Sequence, residues 1–171
     1  MNTLFLGIRV LHVLAAALWL GSVAFVAFVL MPAMERSGPA GDRIMGAMHR
    51  GGLGPYFGSI SGVTVLSGLY LYWRFTAGFD PSISGSLGGI AFGTGGALGL
   101  IAGILGGSVV GRSATKAATL GESLDGIKDA ARRSAVEAEI RKHKQRMVSV
   151  GRLVVGLLVI TITLMAVGHY V

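Results

Sequence analysis

The chain has 171 residues, of which 52% are hydrophobic and 13% charged. An ordinary soluble domain has about 25% charged residues, so this composition indicates an integral membrane protein. The formal net charge of +7 would suggest nucleic acid as the partner of a soluble protein, but here it has a simpler role in setting membrane topology, and we expect no nucleic-acid partner. The absence of cysteine excludes disulfides, thiolate metal sites and iron–sulfur clusters.

The first apolar run, residues 4–32, carries a single formal charge and is long enough to cross a bilayer core of about 30 Å. On a helix, Arg9, His12 and Trp19 fall on one face. We expect this face to contact protein, because ionisable groups inside a membrane need partners. Arg9 either has such a partner or extends its guanidinium to the membrane surface.

His12 lies about 12 Å below the start of this run, which is too deep for the short imidazole to reach water. Three interpretations are open. The residue is a neutral histidine hydrogen-bonded to a neighbouring helix, a ligand of haem or a metal ion, or a proton-handling group.

The second predicted span covers residues 55–73 and ends in the aromatic sequence YLYW, which is typical of the membrane–water interface. A polar connection over residues 34–54 precedes it. Within that connection we predict a short interfacial helix over residues 42–50.

The third predicted span, residues 87–111, has a stripe of glycines at every fourth position: Gly95, Gly99, Gly103, Gly107 and Gly111. Glycine weakens helices in water by up to about 1 kcal/mol per residue, but in a membrane it lets another helix approach closely. We interpret the stripe as a helix-packing surface, with a groove for a flat cofactor or lipid tail as the alternative. The spacing leaves open whether the packing partner is this chain or a second copy.

The fourth predicted span, residues 148–171, follows a charged segment over residues 112–147. The composition from residue 123 favours helix, so we expect the fourth helix to begin early and to extend out of the membrane. The first and third connections carry most of the Lys and Arg residues. The positive-inside rule therefore places these connections in the cytoplasm and both termini outside.

The depth of each residue in the membrane decides which pairs of residues could bind one cofactor together. By helical rise, Met165 lies about 9 Å and His169 about 3 Å from the external end, compared with about 12 Å for His12. His12 with Met165 therefore matches better than His12 with His169, although a shift of one helical turn would allow the second pair. A His and Met pair suits haem or copper(I). We predict a cofactor or metal site of His12, Met165 and His169, with Arg9 and Trp19 beside it.

Three stretches, RVLHVLAAALWLGSVAFVAFVLMPAM, VLSGLYLYW and LLVITITLMAVGHYV, resemble the CopD-like superfamily of small bacterial inner-membrane proteins. That group includes the copper-resistance D proteins and, more distantly, the HemJ-type protoporphyrinogen oxidases. The most specific part of the pattern is His12, Trp19, Gly21 and Pro32. The resemblance implies a four-helix bundle with a copper or haem connection and carries over His12. The lysine and arginine of the HemJ-type motifs are missing, so we do not expect that oxidase activity.

The sequence thus predicts an all-α, integral membrane four-helix bundle with a cytoplasmic helical extension between spans 3 and 4, in one domain over residues 1–171. The expected function is haem b binding in a small redox or transport protein, with copper as the alternative cofactor, and enzyme activity is left open. The competing function is a non-catalytic accessory subunit of a larger membrane complex, or a homo-oligomer, packed through the glycine-rich helix. A transporter of small solutes ranks third.

Overall fold

The computed structural model describes residues 3–171, without the side chains of Pro39 and Asp125, and its elements in that range are all helical. The α-helices of the described chain have these bounds: Thr3–Phe25 (α1), Met31–Arg36 (α2), Pro39–Arg50 (α3), Leu53–Phe75 (α4), Pro81–Ser84 (α5), Leu87–Leu105 (α6), Arg112–Ser123 (α7) and Ala130–Val167 (α8).

Two of these helices continue beyond the predicted ends of their spans. A π-helical segment, Val26–Leu30, joins α1 to α2, so the first helix runs without a break to Arg36 and not to residue 32. A proline inside a helix removes one amide donor and clashes with a preceding carbonyl, and the wider π turn just before Pro32 accommodates both effects. A second π segment, Gly106–Gly111, carries α6 into α7 and extends the third helix to Ser123 instead of residue 111.

The prediction that the fourth helix begins before its apolar part is confirmed. Helix α8 has 38 residues, but it begins at Ala130 and not at residue 123. The side chain of Asp129 caps it by accepting a hydrogen bond from the backbone N–H of Arg132 at 2.7 Å. The helix ends at Val167, before Gly168, and the predicted span therefore extends too far at its C-terminal end.

Among the described residues, three helices are long and apolar enough to cross a membrane: Thr3–Arg36, Leu87–Ser123 and Ala130–Val167. Helix α4 has 23 residues, or about 35 Å of helix, but it is not one of the three. Its serine, threonine, glycine and tyrosine residues lower its hydropathy. The predicted second span is therefore present as a helix of sufficient length and lower apolar content.

The four longest helices pack in a closed order, in which α1 and α6 each contact both α4 and α8. A central apolar cluster joins α1, α6 and α8 through Trp19, Ala102, Val154 and Leu158. Only 4% of the Trp19 surface is exposed, and Ala102 is completely buried. A second cluster, formed by Met31, Met34, Met45 and Met147, joins α2, α3 and α8.

Some glycines of the α6 stripe pack against other helices of this chain, and the others do not. A Cβ atom added to Gly95 would lie 3.3 Å from the carbonyl oxygen of Thr161 on α8, and one added to Gly99 would lie 3.6 Å from the Thr161 methyl group. A Cβ on Gly103 would lie 3.6 Å from the Trp19 ring. At Gly107 it would meet nothing within 4 Å, and at Gly111 the one neighbour is the carbonyl oxygen of Gly106. Most of the stripe therefore packs inside this chain.

A tight contact between α2 and α3 yields a prediction about stability. A Cβ added to Gly41 would overlap the backbone carbonyl of Met34, whereas one added to Gly46 of the same helix would meet only the Arg50 side chain, at 3.5 Å. We expect Gly41→Ala to push α3 away from α2 and to destabilise the protein by about 1–3 kcal/mol. Gly46→Ala should be neutral or slightly stabilising, because alanine favours helix. Thermal unfolding in mild detergent measures both, and equal midpoints would contradict the prediction.

Candidate functional site

The imidazole of His12 is held by α4. Its Nδ1 atom lies 2.9 Å from the carbonyl oxygen of Thr64 and 3.1 Å from the hydroxyl oxygen of Ser67. A carbonyl oxygen can only accept a hydrogen bond, so Nδ1 carries the proton and donates it. In the neutral ring, Nε2 then has a free lone pair. The hydrogen bond to a neighbouring helix, one of the three interpretations of His12, is confirmed.

The α4 groups around His12 are themselves satisfied. The hydroxyl of Ser67 donates to the carbonyl oxygen of Val63 at 2.5 Å, and that of Thr64 donates to Ile60 at 2.7 Å. Since the Ser67 proton is committed to its own helix, the oxygen presents a lone pair to Nδ1. Both side chains are buried, and buried polar groups that are fully paired hold their geometry firmly.

Gly68 provides the space that the ring occupies. A Cβ atom at this position would lie 2.8 Å from Cε1 of His12 and 3.7 Å from Nε2. The imidazole therefore lies directly against the α4 backbone. Gly68 could not be singled out from the sequence, because nothing in its spacing distinguishes it from the packing glycines.

Arg9 and His169, two residues of the predicted site, meet at the same end of the protein. The guanidinium of Arg9 donates a hydrogen bond to Nε2 of His169. The His169 ring also packs edge-on against Phe92 of α6, with 5.2 Å between the ring centroids. Arg9 thus has a protein partner. While that bond is made, Nε2 of His169 is not available to a metal ion.

Met165 and Trp19 have other surroundings. The Cγ atom of Met165 would lie 3.4 Å from a Cβ added to Gly95, so this side chain packs against α6, while His12 packs against α4. Trp19 fills the apolar cluster between α6 and α8. Of the predicted site residues, the structure joins Arg9 to His169, and none of the contacts given above joins either to His12 or Met165.

In the described part of the chain, His12 does not belong to a group of metal-binding side chains. Among residues 3–171, no three His, Asp or Glu side chains are grouped so that they could hold a metal ion. A copper site built at His12 would need further soft ligands, whereas haem iron takes a single protein imidazole as an axial ligand. The apolar cavity of about 330 Å³ beside Tyr70 and Trp73 does not include His12.

No family model, curated protein or solved structure matches this chain. The resemblance to the CopD-like superfamily consequently stays an expectation based on the residues quoted above.

The position of the His12 ring can be tested through Gly68. We expect Gly68→Ala to push the imidazole away from Thr64 and to break the Nδ1 hydrogen bond, because the added methyl group would lie only 2.8 Å from Cε1. Gly62→Ala is the matched control, since a Cβ there would meet nothing within 4 Å. Nitrogen NMR of labelled histidine, with the His12 signal assigned by its loss in His12→Ala, reports the bond. An unchanged His12 signal in Gly68→Ala would show that the ring lies elsewhere.

Proposed function

We propose that the four longest helices form a bundle across a bacterial inner membrane. The distribution of side chains supports this proposal. Large apolar residues such as Leu14 and Phe28 are more than half exposed, whereas the hydroxyl-bearing Thr64 and Thr161 are buried. A water-soluble protein has the opposite pattern. A bilayer would cover the exposed apolar surface without a partner protein.

The lower hydropathy of α4 is compatible with a position in the membrane. The hydroxyls of Ser61, Thr64 and Ser67 each donate to a backbone carbonyl one turn earlier, at 2.7, 2.7 and 2.5 Å respectively. A hydroxyl that is bonded to its own helix loses most of its unfavourable energy in lipid. The connection after α4 contains no Lys or Arg, and Arg74 in the last turn of α4 is the one cation beside it, so the positive-inside rule favours external termini.

Within this bundle, we propose that His12 is the axial ligand of haem b in a small redox protein. The observation that carries the proposal is the Nδ1 hydrogen bond to Thr64, which leaves Nε2 as an oriented lone pair without a hydrogen-bond partner in the described chain. Histidines that bind metals usually donate their second ring nitrogen to a carbonyl or carboxylate in this way. That bond fixes the tautomer and raises the basicity of the ligand.

The residues of the chain have distinct roles in this proposal. Thr64 and Ser67 would orient the imidazole, and Gly68 would leave room for it. Arg9, one helical turn from His12, supplies a cation on the same side of α1. A bound haem would supply one-electron transfer, and the protein would hold it away from water.

An absorption spectrum of the protein purified in mild detergent tests this function. We expect a Soret band that is lost in His12→Gly and restored by added imidazole, because free imidazole can replace the missing side chain. His49→Gly is the control and should keep the band, since His49 lies on α3 and the groups that hold His12 come from α4. The absence of a Soret band from the wild-type protein, with no copper found by metal analysis, would exclude both cofactors.

The face of α6 that points away from the other helices favours a second function, as an accessory subunit of a larger complex. Gly96 and Gly107 would each accept a Cβ with nothing within 4 Å, and they flank the exposed side chains of Leu100 and Ile104. Small residues beside large ones give a surface on which another membrane helix can pack. Gly103 is unsuitable as a probe of this surface, because it already packs on Trp19.

For the accessory role, we expect Gly107→Leu to abolish association with other subunits while the chain still folds. Gly99→Leu should instead disrupt folding, since its side chain would collide with Thr161. Light scattering of the detergent complex gives the assembled mass, and thermal unfolding reports the fold. If Gly96→Leu and Gly107→Leu both leave the mass unchanged, this face is not an assembly surface.

A further inference from the structure

A cavity of about 230 Å³ lies where α2, α3 and α8 meet, at the opposite end of the molecule from the Arg9–His169 pair. Its apolar floor is formed by Met31, Met34, Met45 and Val148. Methionine side chains are flexible and polarisable, so this floor can adapt to the shape of an apolar group. The cavity shares none of its residues with the surroundings of His12.

The rim of the cavity carries two carboxylates and two cations: Glu35, Asp42, Lys144 and Arg152. Asp42 and Lys144 form an ion pair across the α3–α8 contact. Arg152 has no carboxylate partner in the part of the chain described, and its guanidinium lies over the ring of Phe28, 5.7 Å from the centroid. Glu35 also lacks an ion pair among these residues. The rim therefore offers one unpaired anion and one unpaired cation.

The cavity lies at the level where both of its long helices change from apolar to charged sequence. The first helix ends in Met34, Glu35 and Arg36, and α8 passes from Lys144 to the apolar run after Val148. Lys144 and Arg152 are separated by about 12 Å along the helix, a distance comparable with the depth of the headgroup region and the first part of the acyl chains. If the helices cross a membrane as proposed above, this cavity opens among the lipid headgroups on the cytoplasmic side.

We propose that this cavity binds the headgroup of phosphatidylethanolamine. The unpaired carboxylate of Glu35 suits the primary ammonium group, which has three N–H donors, and Arg152 together with the Ser149 hydroxyl suits the phosphate. An anionic headgroup such as that of phosphatidylglycerol would leave Glu35 without a counter-charge. Phosphatidylcholine has no N–H donor. The methionine floor accommodates the start of the acyl chains.

This inference rests on membrane insertion but not on haem binding. Protein in nanodiscs of phosphatidylcholine, with an equal minor fraction of phosphatidylethanolamine or phosphatidylglycerol, tests it by thermal unfolding and by native mass spectrometry of co-purified lipid. We expect phosphatidylethanolamine to raise the unfolding midpoint most. It should also be enriched about tenfold over phosphatidylcholine on the protein, the ratio expected for one additional charge-assisted hydrogen bond.

Variants separate this site from general attraction to lipid. Glu35→Gln and Arg152→Gln should remove the preference for phosphatidylethanolamine, and Glu35→Lys should shift it towards phosphatidylglycerol. Arg146→Gln is the control, because Arg146 is exposed on α8 and does not line the cavity. Equal stabilisation of the wild-type protein by all three lipids, or an unchanged preference in Glu35→Gln, would overturn the proposal. Recovery of the chain in the soluble fraction would instead reject membrane insertion, and loss of the Soret band would not affect this test.

Discussion

The structure depends on the close approach of α6 to α8, which only small side chains allow. Gly95, Gly99 and Ala102 are buried on the inner face of α6, and the Thr161 backbone and methyl group lie against the two glycines. If the helices cross a membrane as proposed, no hydrophobic force drives them together, and association relies on van der Waals contact over closely fitting surfaces. One turn further along, Gly103 leaves room for the ring of Trp19. The same stripe thus joins α6 to α8 and fixes the position of α1.

Helix α1 is held at several levels, and His12 lies between two of them. Arg9 is bonded to His169 one turn before His12, and Trp19 is buried in the central cluster two turns after it. Further along the same helix, Ala27 packs closely against Gly151 of α8. Because both neighbours of His12 along α1 are anchored, the direction of its imidazole is set by α4 rather than by movement of α1. A side chain held by the packing of two helices has a fixed direction, which is the preorganisation that a binding site needs.

The sequence predicted the four long helices and the short helix that ends at residue 50, because apolar runs and polar connections indicate them directly. It did not predict α7, and it gave most ends of the long helices wrongly. The π segment before Pro32 and the one at Gly106–Gly111 let the helices continue past residues that usually interrupt them, and their hydrogen bonds are not visible in composition. For the site, helical rise gave the depth of Met165 along α8 but not the direction of its side chain around the helix. The Met165 side chain packs on α6 and not beside His12. The carbonyl oxygen of Thr64 could not be predicted as the partner of His12, since every residue of α4 has one.

The polarity of α4 connects these observations. The hydroxyls of Ser61, Thr64 and Ser67, which lower the hydropathy of α4, donate their protons to their own helix, and this leaves oxygen lone pairs for groups on α1. Ser67 presents such a lone pair to His12, and the hydroxyls of Ser22 and Tyr56 meet at 2.8 Å further along the same interface. An α4 of leucine and valine would cross a membrane more readily, yet it would offer the imidazole no side-chain oxygen. The low hydropathy of α4 is therefore better explained by its contacts with α1 than by exposure to water.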